Sequence, residues 1–155
     1  MKALELKIPP VIVFVIAIVG IYYSPKSETL ISWLNGYAEA VGSVVFLCGV
    51  GIGLLGVITF RRARTTINPV AINKASQLVT HGVFAYTRNP MYLGLAIGVV
   101  AAGLYRQVDI LNILFCLFFF AAYMTRFQIV PEERMLTELF GEEFEAYQKR
   151  TRRWI

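Results

Sequence analysis

The segment Ala40–Phe60 reads AVGSVVFLCGVGIGLLGVITF and contains no charged residue. A helix needs about 20 apolar residues to cross the hydrocarbon core of a bilayer, so this run is long enough for one crossing. Three further uncharged runs occur at Ile8–Pro25, Asn89–Tyr105 and Ile110–Thr125. The last two are short, and they require either arginines that reach the interface or local thinning of the bilayer. We therefore predict an all-α, polytopic membrane bundle of about four transmembrane helices; the alternative is that the last two runs form a hairpin that barely crosses.

Composition agrees with a membrane protein. The chain has 155 residues, of which 57% are hydrophobic and 16% are charged, whereas soluble domains carry about 25% charged residues. The net charge of +5 does not indicate nucleic-acid binding, because the basic residues cluster at the ends of the apolar runs, where they meet the membrane surface. The two cysteines, Cys48 and Cys116, lie inside apolar runs without metal-ligand spacing, so no metal site is predicted.

The loops predict the direction of the chain in the membrane. The connection 61–88 carries five basic residues and no acid, and the C-terminal tail ends with four basic residues, whereas the other two connections are nearly neutral. The positive-inside rule then places both termini and the long middle loop in the cytosol. We expect an inner, plasma or endoplasmic-reticulum-type membrane. The first helix, which follows Lys2 and Lys7, is expected to be retained because no clear cleavage site follows it.

The second run is rich in glycine, with Gly49, Gly51, Gly53 and Gly56. Gly49 and Gly53 form a small-xxx-small pair, which is typical of closely packed membrane helices. We interpret these glycines as a packing surface, either within the bundle or in a homodimer, rather than as a ligand site.

The middle loop ends with Arg88-Asn89-Pro90, followed by Tyr92. Asn is a favoured N-cap and Pro is favoured at the first helical position, so a helix is predicted to begin here. Its free N–H groups and positive dipole end, beside a guanidinium, would suit a carboxylate or phosphate. In the simpler interpretation, Asn89 and Pro90 only cap the helix and Arg88 binds lipid phosphate. His81 is the only histidine; it is either structural or a catalytic candidate.

After the last run, Pro131-Glu132-Glu133 has the pattern of a helix start. Apolar residues then recur at helical spacing up to Tyr147, and Gly141 is predicted to split the segment into two short helices. We expect these helices to form an amphipathic cap on the cytosolic face. Glu132 and Glu133 would lie near the level of Arg88 and Tyr92, where their carboxylates could accept hydrogen bonds from a ligand.

At these residues the chain resembles the membrane methyltransferases that include isoprenylcysteine carboxyl methyltransferases and phospholipid N-methyltransferases. The resemblance covers about residues 65–150. The matching residues are Leu78, Val79, Thr80, Gly82, Phe84, Arg88, Asn89, Pro90, Tyr92, Gly94, Glu132, Glu133, Leu136, Phe140, Gly141 and Tyr147. The chain departs from the carboxyl methyltransferases at Ser76, Phe84 and Asn89, where that group has His, Tyr and His.

The resemblance implies an S-adenosylmethionine site at the cytosolic face. The residues implied to bind the cofactor are Gln77, Leu78, Val79, Gly82, Phe84, Arg88, Asn89, Pro90, Tyr92, Glu132 and Glu133. It also implies that Arg126 lies near the reacting substrate. His81, Glu132 and Glu133 are candidates for a base where the acceptor must lose a proton. Residues 1–60 would form an N-terminal transmembrane hairpin and residues 61–155 the methyltransferase core.

The resemblance favours a membrane enzyme that methylates a lipid or another hydrophobic acceptor, bound from the bilayer. The acceptor atom, whether oxygen, nitrogen or sulfur, stays open. A non-catalytic membrane scaffold or subunit is the alternative. A small four-helix exporter is disfavoured because no Asp or Glu lies within the four runs. A sterol-reductase relative would share part of the C-terminal pattern but would be longer.

Overall fold

The computed structural model describes residues 5–27, 36–63 and 77–155. These ranges contain six α helices: α1 (Pro10–Tyr23), α2 (Ala38–Arg62), α3 (Pro90–Tyr105), α4 (Ile110–Met124), α5 (Val130–Phe140) and α6 (Glu142–Arg150). A 3-10 turn at Gly82–Ala85 precedes α3, and a π-helical segment, Thr125–Ile129, joins α4 to α5. No β strand occurs in the described ranges beyond one isolated bridge between Lys26 and Val108. The prediction of an all-α protein is confirmed.

Helix α3 is the centre of the bundle. It packs against α1, α2 and α4, and every residue from Pro90 to Leu104 is buried or half-buried. Its buried positions include Ala96, Gly98, Ala101 and Gly103. Small side chains let neighbouring helices approach closely, so the composition of α3 suits a helix surrounded by three others.

Three glycines of α2 form the contact with α3. Gly42, Gly49 and Gly56 are buried on one face of α2. A Cβ atom placed on Gly49 would lie 2.8 Å from the Gly94 carbonyl oxygen, and one placed on Gly94 would lie 2.6 Å from the Gly49 carbonyl oxygen. These backbones therefore touch directly, which confirms close packing within the bundle for Gly49 and Gly56, whereas a Cβ atom at Gly51 or Gly53 has no described neighbour within 4 Å. The homodimer stays a prediction.

Substitution of Gly94 by alanine is expected to destabilise the protein. The added methyl group would overlap the α2 backbone, which cannot move aside as a flexible side chain can, and overpacking of this kind costs about 1–3 kcal/mol. The matched control is Gly51→Ala, because a Cβ atom at Gly51 has no described neighbour within 4 Å and alanine favours a helix. Thermal unfolding in detergent should show a lower midpoint for Gly94→Ala alone; equal midpoints would contradict the packing.

In the described ranges, two helices are long and apolar enough to cross a membrane. They are α2, with 25 residues, and the continuous helix Ile110–Phe140, with 31 residues. Helices α1 and α3, with 14 and 16 residues, rise roughly 21 and 24 Å, less than the ~30 Å hydrocarbon core. The outward faces of α1, α2 and α4 are apolar, with exposed Val15, Leu47 and Phe118 among others. Such faces suit contact with lipid; the count of four crossings stays a prediction.

Pro131 has a different role from the predicted one. The helix does not begin at Pro131 but continues through it, and the wide π turn Thr125–Ile129 lies directly before it. Proline has no N–H and its ring clashes with the carbonyl four residues earlier, here that of Phe127. Widening the preceding turn is a known response of a helix to such a conflict. The split at Gly141 is confirmed: its φ of 51° is readily adopted by glycine, and it separates α5 from α6.

Candidate functional site

The start of α3 is where the sequence predicts it, but Asn89 does not cap it. Helix α3 begins at Pro90, and the Asn89 side chain makes no capping hydrogen bond. Its amide instead donates to the Arg153 carbonyl, 2.8 Å away. The Asn89 backbone N–H donates to the Thr87 hydroxyl at 3.2 Å. The loop before α3 is therefore tied to the C-terminal end of the described chain.

The tail segment, residues Thr151–Trp154, lies along the loop before α3. The Arg88 N–H donates to the Arg152 carbonyl at 3.0 Å, and the Arg88 guanidinium donates to the carbonyls of Thr151 and, at 3.3 Å, Gln148. The Trp154 indole N–H donates to the Thr125 hydroxyl in the π segment at 3.1 Å. The tail segment thus connects the loop before α3 with the end of α4.

Glu133 is the centre of a three-residue ion-pair network. One oxygen accepts from Arg88 Nη2 at 2.7 Å and from Arg153 Nε at 3.1 Å, and the other accepts from Arg153 Nη2 at 2.6 Å. The side chains of Glu133 and Arg88 are each only 11% exposed, whereas that of Arg153 is 37% exposed. The hydrogen bond to Glu133 raises the pKa of Arg153. The network fixes α5 against the start of α3.

Tyr92 and Glu132 form a second link between the same two helices. The Tyr92 hydroxyl donates a hydrogen bond to one carboxylate oxygen of Glu132, and Tyr92 is 8% exposed. The other oxygen of Glu132 accepts no hydrogen bond from the part of the chain that the structure describes. The expected proximity of the two glutamates to Arg88 and Tyr92 is present in the structure.

An apolar cluster lies beside these polar groups. Val79, Phe84, Phe144 and Tyr147 are buried together, with Phe60, Leu78, Leu136 and Phe140 packed around them. The Phe60 and Phe84 rings meet edge to face at 4.8 Å. The Tyr147 hydroxyl donates to the Phe84 carbonyl at 2.7 Å, and burial raises the pKa of Tyr147. Helix α6 therefore closes over the 3-10 turn.

The other predicted site residues lie away from the junction of α3 with α5 or at its edge. Gln77 is exposed and donates to the Ala63 carbonyl at the end of α2. Gly82 has a φ of 64°, consistent with the turn expected there, and lies against Thr59. His81 is exposed, and its side chain contacts no described partner through a hydrogen bond or ion pair. Arg126 donates to Glu5 at 3.0 Å and is 43% exposed.

Three residues that hold the elements around the site together are not indicated by the helix, capping or family patterns of the sequence. In the sequence, Arg153 belongs to a basic tail of the kind that lies at a membrane surface. In the structure, Arg153 binds Glu133. Glu5 lies 121 residues from Arg126 along the chain. Gln128, which is 1% exposed, donates to the Ile8 carbonyl at 2.6 Å.

The residues at this junction fit S-adenosylmethionine. Arg88 Nε is buried without a hydrogen-bond partner in the described ranges, so one cationic donor is available for a carboxylate. The second Glu132 oxygen is an acceptor for an ammonium or hydroxyl group. The apolar cluster offers rings for a purine, and α3 presents its N-terminus nearby. The described residues contain no group of three potential metal ligands.

Comparison with known proteins identifies the family of this chain. Residues 37–143 match the family model for phospholipid methyltransferases. A probable protein-S-isoprenylcysteine O-methyltransferase from Oryza sativa subsp. indica is 30% identical over 115 residues, 74% of this chain and 58% of the relative. The protein-S-isoprenylcysteine O-methyltransferase of Schizosaccharomyces pombe is 33% identical over 78 residues, 50% of this chain and 32% of the relative.

The chain thus spans little more than half the length of the rice relative. No solved structure matches it. The family match covers well over half of the chain, including α2, α3, α4, α5 and both glutamates of the site. The chain belongs to the phospholipid methyltransferase family.

Proposed function

We propose that this protein is an integral membrane methyltransferase that uses S-adenosylmethionine to methylate a lipid or another hydrophobic acceptor. The observation that carries the proposal is the junction of α3 with α5. Two buried links, Tyr92–Glu132 and Arg88–Glu133, lie there beside an apolar cluster, at one end of an apolar bundle. Buried polar groups at membrane depth or its edge tend to be functional, and these belong to a methyltransferase family.

The proposed cofactor site uses three features of the junction. Arg88 Nε and the N-terminus of α3 would bind a carboxylate, and Glu132 would accept hydrogen bonds from an ammonium group or ribose hydroxyls. Phe84 and the apolar cluster would contact the adenine. The bound sulfonium supplies an activated methyl group, so the protein chiefly has to align the acceptor and exclude water.

Proton removal from the acceptor is assigned to Glu132 in this proposal. Glu132 has an oxygen without a described partner, whereas both oxygens of Glu133 are held by arginines. His81 is exposed on the turn before Phe84 and is the weaker candidate. A base must come within hydrogen-bond reach of the proton that it accepts, and the half-buried Glu132 would lie within such reach of an acceptor bound against α3.

The proposed orientation follows from charge. Among the described residues, Arg61 and Arg62 at the end of α2, Arg88 and the basic residues of the tail lie at the end of the bundle that holds the candidate site, which supports a cytosolic site with both termini on that side. Helices α5 and α6 would then form the cytosolic cap. In this proposal α1 and α3 complete four crossings, their short length offset by local thinning of the bilayer, and the acceptor enters sideways from the lipid.

Calorimetric titration of the purified protein with S-adenosylmethionine and S-adenosylhomocysteine tests the proposal. Saturable one-site binding of both is expected in detergent and in lipid nanodiscs. A labelled-methyl screen would follow, with amine, carboxylate and thiol amphiphiles as separate arms. The relatives are named as isoprenylcysteine O-methyltransferases, so a prenylated cysteine enters the carboxylate arm. Absence of binding by a folded sample would favour a non-catalytic scaffold.

A further inference from the structure

The N-terminal segment, residues Glu5–Ile8, lies against the π segment at the end of α4. The Leu6 N–H donates to the Phe127 carbonyl at 3.0 Å, and Gln128 donates to the Ile8 carbonyl at 2.6 Å. Glu5 binds Arg126 and Arg134 on either side of Pro131. Four contacts within four residues thus attach this segment to the helix that carries Glu132 and Glu133.

The hydrogen bond from Leu6 pairs a helix carbonyl, that of Phe127, whose usual donor would be at Pro131. In a regular helix the Phe127 carbonyl would accept from the N–H four residues later, at Pro131, which has none. The Leu6 N–H approaches this carbonyl from outside the helix. An unpaired buried carbonyl costs free energy comparable to a lost hydrogen bond. The N-terminal segment therefore stabilises the helix where Pro131 weakens it, one residue before Glu132.

Glu5 brings two arginines together on one carboxylate. Arg126 donates to one oxygen of Glu5 and Arg134 to the other. The Glu5 side chain is 11% exposed, while those of Arg126 and Arg134 are 43% and 51% exposed. The hydrogen bond from Arg126 lowers the pKa of Glu5, so Glu5 is charged at neutral pH. Both guanidinium groups keep N–H donors that can face a ligand.

Glu5 and Arg134 line a shallow depression on the surface. Its lining combines apolar and charged side chains: Glu5, Leu6, Pro131, Arg134, Met135 and Glu138. A surface that is apolar on one side and charged on the other suits the polar end of an amphiphile. The depression lies on the same helix as Glu132 but outside the apolar cluster assigned to the cofactor.

We propose that Glu5 is a positioning residue for the acceptor: it holds Arg134 at the depression and pairs Arg126 on its other carboxylate oxygen. The inference rests on the proposed function. It extends the site to a segment outside the matched residues 37–143, so the N-terminal segment takes part in acceptor use rather than only anchoring the first helix.

The test is a kinetic comparison of Glu5→Gln with wild type. Glutamine keeps the size of the side chain but loses the charge that aligns both arginines. The acceptor kcat/KM should fall about tenfold, since small misplacements of a binding group have effects of this order or larger. The S-adenosylmethionine Kd should stay within twofold. Hydrogen–deuterium exchange should rise at residues 126–134 and not in α2.

Two further variants separate positioning from support of the fold. Glu39→Gln, which alters an exposed acid at the start of α2 and lies outside the depression, should keep wild-type kinetics. The double variant Glu5→Arg with Arg126→Glu re-forms the ion pair with reversed charges; it should restore the exchange protection but not the acceptor kcat/KM. Full kinetic recovery in the double variant, or wild-type kinetics in Glu5→Gln, would overturn the inference. A wild-type protein that bound no S-adenosylmethionine would instead overturn the proposed function.

Discussion

Replacement of Glu133 by glutamine is expected to lower the thermal unfolding midpoint by about 5–10 °C. Glu133 is the anion between two arginines, and Arg88 is only 11% exposed. Removal of one partner from a buried ion pair costs about 3–5 kcal/mol because the remaining charge stays buried. Arg153 is 37% exposed and keeps contact with solvent, so we expect about 2–3 kcal/mol, which corresponds to the stated shift for a chain of this size.

Differential scanning in detergent, with and without S-adenosylmethionine, measures this shift. The matched control is Glu138→Gln, which removes an exposed acid of the same helix and should leave the midpoint within 1–2 °C, as surface substitutions usually do. Arg153→Gln should have a smaller effect than Glu133→Gln, because it leaves Arg88 paired with Glu133. A Glu133→Gln protein with the wild-type midpoint would show that the network does not join α5 to α3 in solution.

Replacement of Glu132 by alanine is expected to weaken S-adenosylmethionine binding by about 10–100-fold while the protein stays folded. Hydrogen bonds to a charged group contribute about 1.5–3 kcal/mol, which converts to this range of affinity. Glu132 makes one described hydrogen bond, with Tyr92, and holds no arginine, so its loss leaves no buried cation behind. Tyr92→Phe should weaken binding less, about fivefold to tenfold, because only the orientation of Glu132 is lost.

Calorimetric titration with S-adenosylmethionine measures the Kd of Glu132→Ala and Tyr92→Phe, with Tyr105→Phe as the control. Tyr105 lies at the other end of α3 and is 50% exposed, so its hydroxyl should have no effect on binding. Equal thermal midpoints of Glu132→Ala and wild type without ligand would show that the loss is local. Wild-type affinity in Glu132→Ala would place the cofactor away from the α3–α5 junction, in disagreement with the site proposed above.

Local sequence patterns predicted the elements that depend on local chemistry. The start of α3 follows from Asn89-Pro90, and the split between α5 and α6 follows from Gly141, whose positive φ favours glycine. Pro131 was read as a helix start because proline is favoured there. Proline also occurs inside a helix when a wide turn precedes it. The sequence around a proline does not distinguish this case from a helix start. The position of the π segment therefore required the three-dimensional structure.

The candidate site likewise contains residues that the sequence predicted and residues that it did not. The resemblance brought Tyr92, Arg88 and the two glutamates together, and the structure pairs them. Arg153 and Glu5 could not be predicted, because their partners lie 20 and 121 residues away and no helical period connects them. Asn89 illustrates the limit of a local rule: the type of residue was right for a cap, but a tail carbonyl offered its amide a partner. The cofactor and catalytic assignments stay predictions.

The enclosure of α3 has a mechanical consequence. The outer helices present apolar faces that suit lipid, while α3 packs against α1, α2 and α4 and is buried or half-buried along nearly its whole length. A thicker or thinner bilayer would act on α2 and on Ile110–Phe140, and hydrophobic mismatch is relieved by tilt of such helices. Because α2 meets α3 backbone to backbone at Gly49 and Gly94, this interface cannot compress, and tilt of α2 would carry α3 with it. The acyl-chain length of the lipids would then change the position of the end of α3 that holds Tyr92.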